Sequence, residues 1–217
     1  MDYDEEPPFE ISRYRDMQKA LPGVDALYRL MLAQLETGMS KGGHVFVVGA
    51  GGGREVEALC NSQTSFQLTG VDPSSDMLGI AKWYADQSAR PNDVRLVQGT
   101  SADIKPPSDG FDAATSLLVM HFLPDNDGED GKKAYLHAIS ERLKPDALLI
   151  HADISFECDA DIAAFKPVFL RHAIQAGLDE GDMRAGIDGI ASLPIISPGR
   201  TGELFSETGF ADPQLFF

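Results

Sequence analysis

One stretch restricts the possible folds more than any other: HVFVVGAGGGREVEAL, residues 44–59. A short run of β-branched and aromatic residues ends directly in glycines, as a fully buried parallel strand does. The chain passes through Gly49-Ala50-Gly51-Gly52-Gly53 and then reads as a helix over Arg54–Cys60. Glycines let a backbone approach a ligand, and the start of a helix offers unpaired N–H groups to an anionic group. The second half of the signal is Asp72, at the carboxyl end of the next strand and nineteen residues after Gly53. A carboxylate at that place can accept both ribose hydroxyls of a nucleotide. Together these features point to an adenosine-containing cofactor. The dinucleotide fingerprint G-x-G-x-x-G/A, counted from Gly49, needs a small residue where this chain has Arg54. The spacing G-x-G-x-G matches Gly49, Gly51 and Gly53 instead, which disfavours a nicotinamide-dependent oxidoreductase.

The rest of the chain supplies the frame. Met1 to about Pro8 reads as a mobile acidic tail, Phe9 to about Ala20 as a helix, and Leu21-Pro22-Gly23 as punctuation. From Val24 the apolar residues Val24, Leu27, Tyr28, Met31, Leu32 and Leu35 form the stripe of a helix packed on one side. Strands are expected at 66–71, 94–98, 111–120 and 147–153, with helices at 74–89 and 129–143 between them. Such alternation predicts an α/β fold with a mainly parallel twisted sheet and helices on both faces. Residues 155–198 break the rhythm with two helices and no strand, and are expected to cover one end of the sheet as a helical lid. Ser197-Pro198 opens a further helix, serine as its cap and proline at its first position. Phe210 to Phe217 is expected to return as a strand. The whole chain, 1–217, reads as a single domain: N-terminal helices over 9–43, a cofactor-binding core over 44–154, the lid, and a last helix and strand over 199–217.

Composition narrows the partners. Hydrophobic residues at 43% and charged residues at 24% exclude a disordered or fibrous protein. Eighteen basic against 34 acidic residues leave a net charge of −16. A field of that sign repels phosphate backbones and anionic lipid, so neither nucleic acid nor a membrane is expected as partner. Cys60 and Cys158 stand far apart in no metal-binding or redox pattern, and the acidic start is unlike a secretory signal. A cytoplasmic location is therefore expected.

Six motifs in order make the chain, from about Pro22 onward, resemble the class I S-adenosylmethionine-dependent methyltransferases. GAGGG is similar to their first motif, which implies that Gly49, Ala50, Gly51 and Gly53 wrap the methionine part of S-adenosylmethionine. GVDPSSDML resembles the second, placing Asp72 on the ribose and Pro73 to Met77 beside the adenine. QGTSADI looks like the segment after the third strand, where Thr100, Ser101 and Asp103 would edge the adenine. FDAATSLLVMHFLPD resembles the fourth-strand motif, whose end, including Leu118, floors the active site. ERLKPDALLIHADI is similar to the turn and fifth strand, and SPGRTGELFSETGFADPQLFF to the last helix and sixth strand. Three departures stand out. Val47 occupies the place of the family's acidic residue two before the first glycine, so the loop must be held by Glu55 or by backbone groups. Asp146 replaces a turn glycine, and no sequence remains for the family's seventh, antiparallel strand.

Methyl transfer from a sulfonium is an in-line displacement in which alignment and exclusion of water supply most of the acceleration. A hydroxyl or amine acceptor also gives up a proton, and His121, at the end of the fourth strand, is the best-placed base. The competing role for His121 is to order the loop to Pro124-Asp125. His44, His137 and His151 read as structural, and Asp153 as a pocket residue of unassigned role. The acids Asp125, Asp127, Glu129 and Asp130 lack the spacing of a calcium loop, so no metal is expected. Arg171, His172, Arg184 and Arg200 offer charge to an anionic acceptor or merely offset the acidic surface. The leading expectation is methylation of a small-molecule acceptor. The helix pair around Leu21-Pro22-Gly23 also resembles carboxy-S-adenosylmethionine synthases, and a non-catalytic cofactor-binding module is the third alternative. An unpaired sheet edge makes a homodimer possible.

Overall fold

The computed structural model of the protein describes Tyr14, Gln18 and residues 21–88, 94–190 and 192–216. The expected tail and most of the expected helix before Leu21 lie outside the described residues. The first continuous helix, α1, spans Val24–Gly38. It buries Val24, Leu27, Tyr28, Met31 and Leu35, the stripe read from the sequence. Burying each of the larger apolar side chains there contributes about 1.5–3 kcal/mol.

Then follow β1 (His44–Val48), α2 (Arg54–Cys60), β2 (Gln67–Asp72), α3 (Ser75–Gln87), β3 (Val94–Gln98), β4 (Phe111–Leu117), α4 (Lys132–Ser140) and β5 (Leu143–Ala152). The five strands form one parallel sheet in the order β3-β2-β1-β4-β5. The period of two along a strand divides the core into two layers. Val45 and Val47 of β1 face α1, α2 and α3 with Leu68, Ala113 and Ile150. Phe46 and Val48 face the other way, with Val71, Phe111, Ala114 and Ile139 of α4. Beyond β5 come α5 (Asp159–Gln175), α6 (Glu180–Ile190) and α7 (Pro198–Glu207). The pair α5 and α6 has a small core of its own, Phe169, Ala173, Met183 and Ile187. Ser197 caps α7 by accepting from the Arg200 N–H at 3.1 Å, with Pro198 in the first turn.

Two expectations are corrected. The strand anticipated at 210–217 does not form over its described residues, so the sheet has five strands where six were expected. Asp212 adopts a left-handed φ of 50° and Pro213 has no N–H to donate, which together interrupt any ladder there. Phe210 packs with Leu204 and Met120 instead. The fourth strand stops at Leu117 rather than Met120, because Leu118 takes φ 60° and Met120–Phe122 close a 3₁₀ turn. Asp146, in place of the turn glycine, does adopt the left-handed conformation at φ 61°. No antiparallel strand is present among the described residues.

Candidate functional site

Strand order reverses between β1 and β4, and in open α/β sheets the crevice at the carboxyl ends of such strands is where ligands bind. The glycine loop emerges there. Gly49 and Ala50 donate their N–H groups to the Val71 carbonyl at 2.9 and 3.0 Å, tying the loop to β2. A side chain on Gly49, which has φ 76°, would run into Val119. A Cβ on Gly51 would lie 2.6 Å from Asp72 Oδ2 and 2.8 Å from Met77 Cβ. Gly53, at φ 70°, passes α3 so closely that a Cβ would sit 2.7 Å from the Ala81 Cα. The close helix contact therefore falls on Gly53. Arg54 turns outward to pair with Asp25, its guanidinium 4.7 Å from the Tyr28 ring centre. Tyr14 lies over Gly52.

Asp72 joins the loop to the second strand. Its Oδ2 accepts from the Gly51 N–H at 2.9 Å and its Oδ1 from the Ser74 N–H at 3.0 Å. Pro73 is exposed beside it, and the Met77 N–H donates to Ser74 Oγ at 3.2 Å as α3 begins. One strand further out, the Gly99 N–H donates to the Asp72 carbonyl at 3.0 Å. Thr100, Ser101 and Asp103 follow, but the Asp103 carboxylate is folded back on Thr100, accepting from its N–H and its hydroxyl at 2.8 Å each. Those bonds, the backbone one foremost, hold the Asp103 carboxyl below the ordinary carboxylate range. Ser101 is buried.

On the other side of the loop, Leu118 donates its N–H to the Ala152 carbonyl at 2.7 Å and turns the chain into the 3₁₀ segment carrying His121. A non-glycine residue at positive φ is strained by on the order of 1–3 kcal/mol, and here the turn is what lays Val119 against Gly49. His121 is buried, and its Nδ1 donates to the Asp153 carboxylate at the end of β5. Asp153 also accepts from the Ile154 N–H at 2.8 Å. Lys132, beside the site, is a residue that sequence reading missed. It is fully buried and donates to the Met120 carbonyl at 2.7 Å and to the Leu123 carbonyl, holding the post-β4 loop in place. Burial holds its ammonium below the ordinary lysine range, against the pull of Asp153 and Asp125. His151 bonds Ser116 Oγ at 3.2 Å, and burial lowers its imidazole below the usual value.

The sheet thus lines up, along one edge, the Thr100 turn, Asp72, the glycine loop, Leu118, and the His121–Asp153 pair. Of the cations in the α5–α7 region, Arg184 pairs with Glu180 at 2.6 Å and Arg200 with Asp125 of the post-β4 loop at 3.1 Å. No group of metal-ligating side chains occurs among the described residues, and no helix is long and apolar enough to cross a membrane.

Comparison with known proteins agrees with this fold. Residues 46–149 match the family model of a methyltransferase domain. Two curated relatives are ubiquinone biosynthesis O-methyltransferases. That of Paramagnetospirillum magneticum is 30% identical over 108 residues, 50% of this chain and 39% of that enzyme. That of Idiomarina loihiensis is 35% identical over 105 residues, 48% of this chain and again 39% of the relative. The match therefore spans well under half the length of both relatives. Among solved structures, the plantazolicin methyltransferase BpumL in complex with SAH superposes with a TM-score of 0.64 at 13% identity, covering 90% of this chain and 67% of that one. Residues 46–149 of this chain are thus similar to a methyltransferase domain, and the chain has the fold of the solved methyltransferase structure.

Proposed function

We propose that the protein transfers the methyl group of S-adenosylmethionine to an oxygen of a small-molecule acceptor. The observation that carries this reading is the junction of Gly51 with Asp72, which sets a side-chain-free loop and a ribose-accepting carboxylate side by side at the switch point of the sheet. The residues present suit such a ligand, because only glycine at position 51 lets the loop lie against Asp72, where a Cβ would come within 2.6 Å of Oδ2. Gly49 to Gly53 would hold the methionine part, Asp72 the ribose, and Met77 with Thr100 and Ser101 the adenine side. When bound, the ligand supplies an activated methyl group on a sulfonium. The chain's part is to align the acceptor and to take its proton. We assign the second task to His121: Asp153 holds Nδ1–H, which leaves Nε2 as the basic nitrogen. The O-methyltransferase relatives favour oxygen as the acceptor atom. The net charge of −16 favours a compact acceptor over nucleic acid and, with Cys60 and Cys158 in no metal-binding or redox pattern, suits a cytoplasmic protein. The outer edge of β5, which pairs with no strand among the described residues, is where a homodimer would form.

Calorimetric titration with S-adenosylhomocysteine tests the site. Asp72→Ala should weaken binding by about 1.5–3 kcal/mol, the range for hydrogen bonds to a charged group. No binding by the unaltered protein would remove the reading. In an acceptor screen, His121→Gln should slow turnover and flatten its dependence on pH between about 6 and 9; unchanged turnover would take the base role from His121.

A further inference from the structure

Glu55 is the second residue of α2, and acids are common in a first turn, where they meet the positive end of the helix dipole. This one faces the wrong way for that role. Its side chain points into the core and is 5% exposed, and its Oε1 has no hydrogen-bond partner among the described residues. The fully buried Thr115 hydroxyl faces the Glu55 carboxyl and bonds no other group among the described residues. Register explains the location. Val47 of β1 lies beside Thr115 of β4, and Val47 points into the layer that α2 covers. A carboxylate on residue 47 would project from the sheet into that layer; Glu55 enters the same layer from the helix.

The groups acting on Glu55 supply no positive charge. Thr115 comes from β4, Asp72 from β2, and the buried phenol of Tyr135 from α4. The adjacent Arg54 is committed outward to Asp25 of α1. Burial pushes the Glu55 carboxyl up to about 8; the Thr115 hydroxyl opposes the rise and Asp72 adds to it. An unpaired buried carboxylate is costly, and the cost is relieved by a proton or by a cation. Asp72, which repels a second negative charge there, is the same residue that clamps Gly51.

We propose that Glu55 is the counter-charge for the cationic amino-acid end of S-adenosylmethionine, protonated in the free protein and ionised when the ligand is in place, so that binding releases a proton. The carboxyl O–H bond breaks, the proton passes to the solvent buffer, and the carboxylate pairs with the ligand's positive charge. This inference rests on the cofactor reading above, so its test must separate the two.

The experiment is calorimetry of the full chain with S-adenosylhomocysteine and with S-adenosylmethionine, at pH 7, in two buffers of different ionisation enthalpy. We expect release of about one proton per ligand bound, fading as the pH is raised through about 8. Release with both ligands assigns the pairing to the ammonium group they share; release with S-adenosylmethionine alone assigns it to the sulfonium. Glu55→Gln should abolish the release and weaken binding by at least about tenfold. Thr115→Val, which keeps the carboxyl and removes the opposing hydroxyl, should move the fading of the release to higher pH. That variant keeps the proposal open to refutation should Glu55→Gln fail to fold. Ligand bound without proton release, release persisting in Glu55→Gln, or an unmoved profile in Thr115→Val overturns the role of Glu55 and leaves the cofactor site standing. Failure of the unaltered protein to bind either ligand overturns both.

Discussion

The sheet and the helical pair α5–α6 were built from the same kinds of residue with different security. Both faces of β1 are covered, and Val45, Phe46 and Val47 are fully buried. The helical pair has four buried residues in its own cluster and leaves Phe165 and Val168 exposed. Its ion pairs, Lys166–Asp188 at 2.9 Å and Arg184–Glu180 at 2.6 Å, are on the surface, where such pairs contribute little. α5 also carries Pro167 within it, at the loss of a ladder hydrogen bond. The difference teaches that the glycine-loop end of the sheet is held by the global core, whereas the α5–α6 pair is held by local packing and is expected to open separately.

The largest expected effects test that contrast directly. Phe46, fully buried and stacked on Phe111 at 4.8 Å, should cost about 3–5 kcal/mol of global stability when changed to alanine, read from denaturant midpoints. Phe169→Ala should instead raise amide exchange in α5 and α6 while the protection of β1 and β4 stays as it was. An equal fall in global midpoint for both variants would erase the distinction between the regions.

A comparable effect concerns pH. The folded protein keeps on Glu55 a proton that the unfolded chain gives up near the ordinary value of 4.5. The contribution is therefore fully present below 4.5 and is lost as the pH rises through about 8. Stability should fall across that window by about 1.4 kcal/mol per pH unit from this group, and Glu55→Gln should remove that part of the slope. A slope unchanged in the variant would place the buried charge elsewhere. The smallest effect sharpens the turn before β5: Asp146→Gly should stabilise by about 1 kcal/mol, because glycine adopts φ 61° without strain. Thermal midpoints would detect it, and a loss of stability would mean that the aspartate side chain holds the turn.

Much of the site was legible because its signals are local. A strand ending in alternate glycines, an acid at the next strand end, and serine before proline each express backbone chemistry within a few residues. The α1 stripe and the bounds of α2 and β3 follow from periodicity in the same way. The last strand was misread because a hydrophobic run, LFF, outweighed the proline and the left-handed aspartate before it. Asp103 bonds Thr100, three residues back in the chain, a capping contact that the motif does not reveal. The position of Val47 pointed to a need for another carboxylate but could not show that Glu55 is buried with no opposite charge acting on it.

The sequence alone determined the class of fold, the glycine loop at the end of β1 and the carboxylate at the end of β2, since these depend on turn conformation and on strand and helix periodicity. Only the tertiary structure decided what lies across from what. His121 and Asp153 are separated by 32 residues and meet because β4 and β5 pair in parallel. Glu55 and Thr115 share one layer because α2 crosses over β1 and β4. Such pairings arise from strand order and register, which close the chain on itself and which no local pattern of residues encodes.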